Sequence, residues 1–139
     1  MKKDKNLLEE GLKFKPQFDR KGLIPVIAQD AKSGQVLMFA YMNKAALQQT
    51  IKTGYAVYYS RTRKKLWKKG EKSGHFQKVR QILVDCDQDC LLLKVSISAG
   101  QCHTGRKSCF YRKISDKKGI KLASIAKKVF NPLKAYKSK

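Results

Sequence analysis

The chain has 139 residues, 42% of them hydrophobic, with 32 lysines and arginines against 10 aspartates and glutamates, a formal net charge of +22. That length reads as one domain able to bury roughly two-thirds of its unfolded surface, and the apolar content excludes a disordered chain. No apolar run approaches the roughly 18 residues of a membrane span, and the opening "MKKDKNLLEEGLKF" lacks the apolar core of a signal peptide. A cytoplasmic protein with no membrane partner is expected.

The charge points to anionic partners: nucleic acid, a membrane surface or phosphorylated small molecules. Most of the lysines are spread along the whole chain and read as a solvated coat, with extra density at 61–72 and in the tail.

In chain order, "GLIPVIAQDAKSGQVLMFAYM" reads as two strands around the loop "DAKSG". "NKAALQQTIKTG" reads as a helix, capped by Asn43, closed by Gly54, with Leu47 and Ile51 stacked one turn apart. "YAVYYS" is aromatic and β-branched, hence a strand, and "RTRKKLWKKGEKSGHF" is a basic loop or irregular hairpin. "QKVRQILVDCDQDCLLLKVSIS" is the clearest β signal, two apolar runs bent near Gln88. The end, "GIKLASIAKKVFNPLKAYKSK", suits a basic amphipathic helix up to the Asn131–Pro132 break, with the last few residues frayed. These elements predict the α+β class, a mixed or antiparallel β-sheet with few helices.

The acids and thiols are the chemical signal. Within a strand, Asp85 and Asp87 would share one face and Cys86 the other. A straight strand would hold Asp85 and Asp89 about 13 Å apart, so a bend at Gln88 is needed to gather all three carboxylates. Gathered, they form a hard-oxygen site of the kind Mg²⁺ uses; the same composition also suits a plain acidic turn. The cysteines are Cys86, Cys90, Cys102 and Cys109. In a reducing compartment such a cluster points to metal or catalysis, or to small buried hydrophobes. Cys86, Cys102 and Cys109 together would make three thiolates with an open fourth position, the pattern of a catalytic zinc; His103 as a fourth ligand would close it.

The loop from Arg61 to Lys69 sets six basic residues around Trp67, which fits a nucleic-acid patch or a nucleotide pocket. "HTGRKS" offers glycine-freed amides, hydroxyls and Arg106 for phosphate.

Taken together, "VLMFAYMNKAAL", "SRTRKKLWKKGEKSGHFQKV", "DCDQD", "LLLKV" and "CHTGRKSCFYR" resemble, in order and spacing, the phosphoribosyl-AMP cyclohydrolases of histidine biosynthesis, from about Leu12 to Arg112. The resemblance implies a cyclohydrolase domain over 1–112 and a basic, partly helical extension over 113–139. It further implies the single-function form, without a fused pyrophosphohydrolase, as a compact single domain in an intertwined homodimer. The activity implied is hydrolysis of the N1–C6 bond of N1-(5-phosphoribosyl)-AMP by zinc-activated water, giving the formimino carboxamide ribonucleotide. Carried over by residue, Asp85, Asp87 and Asp89 become Mg²⁺ ligands and Cys86, Cys102 and Cys109 Zn²⁺ ligands, with Cys86 reaching the other two across the dimer interface. Cys90 is left as a spare buried thiol, and His103 is expected to be the general base. Arg61, Trp67, Lys69, Glu71, Ser73, His75, Thr104 and Arg106 are the expected substrate contacts. The competing class is a zinc-stabilised basic nucleic-acid-binding module. The absence of C-x-x-C pairs and the acidic trio speak against it, so nucleic acid is expected only as non-specific charge binding.

Overall fold

Alternation of apolar side chains along two strands builds the centre of the molecule. The structure is a computed structural model that describes residues 2–115 and 119–136. Its elements are α1 (Lys2–Glu10), β1 (Ile24–Asp30), β2 (Val36–Met42), α2 (Lys44–Thr53), β3 (Val57–Ser60) and β4 (Lys65–Lys68), then β5 (Lys78–Val84), β6 (Leu91–Ser96), β7 (Arg112–Ile114), β8 (Leu122–Ser124) and α3 (Pro132–Ala135). On β1, Ile24, Val26 and Ala28 face the core; on β6, Leu91, Leu93 and Val95 do the same. Burying each such Ile, Leu or Val contributes roughly 1.5–3 kcal/mol.

β1 and β6 run parallel, from Val26 opposite Leu91 to Asp30 opposite Val95. β2 joins β1 and β5 joins β6 antiparallel, giving a mixed sheet in the order β2-β1-β6-β5. The α+β expectation therefore holds. Among the described residues no helix is long and apolar enough to cross a membrane.

Asn43 caps α2 by accepting the Ala46 N–H at 2.8 Å, and the Gly54 N–H closes it on the Thr50 carbonyl. The buried stripe is Ala46, Leu47 and Thr50, whereas Ile51, one turn on from Leu47, is 58% exposed and lies outside it. Thr50 is the reason. Its hydroxyl donates to the Ala46 carbonyl at 2.9 Å and accepts the Val57 N–H at 3.0 Å, which seats position 50 over β3 and turns Ile51 outward.

The basic stretch after β3 is a regular hairpin, with Val57 opposite Lys68 and Ser60 opposite Lys65. Tyr58 is fully buried, its ring 5.0 Å from that of Trp67.

The tail departs from expectation. In place of a helix running to Asn131, Leu122–Ser124 pairs with Arg112–Ile114 as a β-hairpin, and helix is confined to Pro132–Ala135. An isolated helix of about ten residues is marginal in water. Here β7 supplies backbone partners instead, and just before it the Tyr111 carbonyl accepts the Ile125 N–H at 2.8 Å. β7 also straddles the boundary expected at 112/113. The expected fraying at the very end falls on 137–139, outside the described residues. Helix α1 is not among the elements expected from the sequence.

Asp30, at the end of β1, ties the β1–β2 turn to the distant loop that carries Lys107. Ser33 donates to its carboxylate at 2.7 Å and Lys107 pairs with it at 3.0 Å. The Ser33 hydrogen bond, helped by Lys107 and opposed by burial, holds its pKa near 2. Asp30→Ala is expected to lower stability by about 1.5–3 kcal/mol in urea unfolding at neutral pH. The folded pKa lies below the unfolded one, so this contribution is complete above about pH 4 and is lost as pH falls toward 2.

Candidate active site

The β5–β6 hairpin stops pairing at Val84, and Asp85 to Cys90 form the turn. The expected strand alternation through Asp85, Cys86 and Asp87 is therefore absent, because Asp85 turns the chain. Its carboxylate accepts the N–H groups of Asp89 at 2.9 Å and Cys90 at 3.0 Å, and its carbonyl accepts the Gln88 N–H at 3.0 Å. Gln88 takes a positive φ of 59°, the bend expected there.

The result is one exposed cluster in which oxygens of Asp85, Asp87 and Asp89 all lie within 4.8 Å of one another. Hydrogen bonding with Asp87 and Asp85, with their negative charge, pushes the Asp89 carboxyl up to about 6. Burial works to raise Asp85, but hydrogen bonds from Asp89, Cys90 and Asp87 hold it below the usual range. Three converging carboxylates that resist ionising together fit a hard divalent cation, whose charge removes the repulsion.

The turn is fastened from outside. Gln88 is only 4% exposed, and its side chain accepts the Lys15 N–H at 2.7 Å while donating to the Leu8 and Lys13 carbonyls at 3.0 and 3.3 Å. The Gln17 N–H adds a bond to its carbonyl at 2.7 Å.

The second cluster lies on the loop after β6. Cys102 is buried, and its backbone is closed into a tight turn by bonds to Arg106 and Gly105, each 3.0 Å. The Thr104 hydroxyl reaches the Cys102 sulfur at 3.0 Å, an arrangement that suits a thiolate. Cys109 is fixed to β2 through its N–H and the Leu37 carbonyl, 2.7 Å. Burial pushes its thiol up to about 12, with the charge and hydrogen bonding of Cys102 adding to the effect. A pair of thiols brought this close fits a soft cation such as zinc, which binds the thiolate form. Cys86 sits exposed on the acidic turn, and the aspartates are the one group of three or more metal-capable side chains among the described residues. Three thiols thus do not converge within one chain. Cys90 is half-buried.

A cavity of about 490 Å³ opens beside Cys109, in the size range of small-ligand sites. Of the expected substrate contacts, Trp67, Lys69, Glu71 and Ser73 line it, together with His103, the expected base. Lys69 is nearly enclosed; its ammonium donates to the Gln101 carbonyl at 2.6 Å, and burial lowers its pKa. The loop carrying Glu71 and Ser73 returns on itself so tightly that a Cβ on Gly70 would lie 2.5 Å from the Phe76 nitrogen.

The remaining expected contacts point elsewhere. Arg61 stacks 4.2 Å over the Tyr41 ring, beside a separate hollow. His75 meets the Gly100 carbonyl through Nδ1 at 3.0 Å, and Thr104 serves the Cys102 sulfur. Arg106 lies over the Tyr111 ring, with Nε buried and unpartnered. The cavity also has walls that the motifs did not name, among them Arg63, Gln101, Phe110 and Tyr136. Phe110 adjoins Cys109 and Arg63 lies in the basic loop, so local signals existed for both; Tyr136 had none.

Known proteins resemble this chain over most of its length. The family model for phosphoribosyl-AMP cyclohydrolase matches residues 38–111. The chain is 51% identical to a Nitrobacter winogradskyi protein described as phosphoribosyl-AMP cyclohydrolase, over 94% of this chain and 92% of that one. It is 52% identical to a Rhodopseudomonas palustris protein of the same description, over 93% of this chain and 90% of that one. A Methanococcoides burtonii protein, also so described, is 54% identical over 86% of this chain and 94% of its own. Matches of this identity and coverage, over the stretch that carries both clusters and nearly all of the cavity, place the chain in the phosphoribosyl-AMP cyclohydrolase family.

Proposed function

We propose that this chain opens the purine ring of N1-(5-phosphoribosyl)-AMP, adding water at C6 and breaking the C6–N1 bond to leave the formimino carboxamide ribonucleotide. The observation that carries the reading is the meeting of Cys109, His103, Lys69 and Trp67 on the walls of one cavity. His103 is exposed to that cavity and takes the proton from the attacking water. The electron pair of the breaking bond returns to N1, which regains a proton. Trp67 offers a face to the purine, and Arg63 and Lys72 on the same walls meet phosphate charge. The unpartnered Nε of Arg106 is a further donor for an anion.

Cys102 and Cys109 would hold zinc, which when bound lowers the pKa of water toward about 7. The third thiolate is Cys86 of a second subunit. In support, the chain's own Cys86 stands apart on an exposed turn, and the neighbouring edge strand β5 leaves Leu83 and Val84 37% and 41% exposed. Asp85, Asp87 and Asp89 would hold magnesium with substrate phosphate. A cytoplasmic location suits free thiols as metal ligands.

Ultraviolet monitoring of the metal-loaded protein with N1-(5-phosphoribosyl)-AMP tests the function. Turnover that disappears on chelation is expected, and a loaded protein that leaves the purine intact overturns the reading.

Asp87→Asn removes a charge at nearly constant shape. It is expected to keep zinc, to need about tenfold more magnesium for half-maximal activity, and to recover at high magnesium by mass action. In the unaltered protein Asp89 titrates near 6. Below that pH the proton competes with the cation, so magnesium affinity should fall as pH drops below about 6 and level off above it. A pH series of magnesium titrations checks the sign.

A further inference from the structure

The tail after β8 does not leave the molecule. It returns to the loop that joins the two cysteines, where the N–H groups of Val129 and Phe130 bond to the Gly105 carbonyl at 2.6 and 3.2 Å. Asn131 then caps α3, accepting the Leu133 N–H at 2.9 Å, with Pro132 in the first turn, and this short helix delivers Tyr136.

Two glycines record the fit. Gly105 has a φ of +97°, and a Cβ there would stand 2.6 Å from the Phe130 carbonyl oxygen and 3.2 Å from Pro132 Cδ. A Cβ on Gly100 would stand 2.7 Å from Val129 Cγ2 and 2.9 Å from Phe130 Cδ1. The stretch from Gly100 through the Cys102–Cys109 loop is therefore cut back at both places where the tail crosses it. The contact continues through rings. Phe130 meets His75 edge-on at 4.5 Å, while His75 holds the Gly100 carbonyl at 3.0 Å. Tyr136 follows Phe130 at 6.5 Å and reaches the wall of the cavity that Trp67, His103, Cys109 and Phe110 also line. Trp67, Phe110 and Tyr136 make that cavity aromatic on several sides, the chemistry that recognises a planar heteroaromatic base.

We propose that the segment from Ile125 to Tyr136 is a working part of the active site, in which Phe130 positions the cysteine loop and Tyr136 contacts the purine of the substrate. This rests on the reading of the cavity as a nucleotide site. Phe130 is a positioning residue: it touches His75 and the glycines and not the reacting atoms. Tyr136 is a substrate contact, with a ring face as its working part.

The test uses the zinc-loaded protein and AMP as probe, read by quenching of Trp67, the one tryptophan of the chain. Tyr136→Ala is expected to weaken AMP binding and raise KM for N1-(5-phosphoribosyl)-AMP, each about tenfold, with kcat, zinc content and melting temperature little changed. Tyr136→Phe keeps the ring and is expected to restore most of the binding. Phe130→Ala is expected to speed hydrogen exchange at the Cys102 and Gly105 amides. Wild-type AMP affinity and KM in Tyr136→Ala would overturn the substrate contact. Unchanged exchange in Phe130→Ala would overturn the positioning role. The two readings fail separately: a wild-type protein that binds AMP through Tyr136 yet leaves the purine intact sinks the reaction, whereas full turnover by Tyr136→Ala at unaltered KM sinks this inference alone.

Discussion

Cys86→Ser and Cys109→Ser enzymes are each expected to be inactive alone and to regain activity when mixed. Serine's hydroxyl is a poor substitute for thiolate toward zinc, so each variant alone is expected to lose metal, and activity on the order of a thousandfold or more. The proposed sharing of the site between subunits sets what mixing does. Cys86 is exposed on the β5–β6 turn, while Cys109 is anchored to β2 beside Cys102. If each site takes Cys86 from one subunit and the other two thiols from its partner, a mixed dimer has one site with both defects and one intact. Random exchange of subunits then returns about a quarter of wild-type activity and a matching fraction of zinc. Zinc content and turnover of the mixture check the result. No recovery after proven exchange would place all three thiols in one subunit. Cys90→Ala, by contrast, should keep metal and activity, since Cys90 packs half-buried behind the turn with its thiol directed at the Leu91 carbonyl.

His103→Ala is the second large effect, and it should look different. His103 lines the cavity beside Cys109 and is exposed to it, so removing the imidazole leaves the loop backbone undisturbed. Zinc and substrate affinity are expected to survive while kcat falls by about a hundredfold or more, as for loss of a general base. Added magnesium should not rescue it, unlike Asp87→Asn. A variant that lost zinc would make His103 a ligand and require another base. Metal analysis beside steady-state kinetics separates the outcomes.

What could be read from the sequence was what is local. The Asp85-x-Asp87-x-Asp89 spacing forced a bend if the acids were to meet, and the bend lies at Gln88. The alternating runs of β1 and β6 marked the core, although their parallel pairing came from the fold. The failures involve distant partners. Ile51 has the spacing of a buried residue, but Thr50 finds Val57 and sets the helix face. Leu122, Ile125 and Val129 have the spacing of a helical stripe, but Arg112–Ile114 offers a strand. Tyr136 reaches the cavity only through a chain of contacts from Gly105 to Phe130, which no short motif encodes.

The Gln88 fastening has a consequence for how the protein is made. Lys15 and Gln88 are 73 positions apart, and Leu8 and Gln88 80. At about 5–20 residues per second, the segment emerging first from a ribosome waits several seconds or more before its partner exists. Contacts of such separation close late, because the loop entropy must be overcome before they return anything. The acidic turn is therefore among the last features to acquire its final shape, and affinity for a divalent cation should mature after the sheet has formed. In refolding, a cation-binding signal should lag far-ultraviolet dichroism, making ion capture a marker of a completed chain.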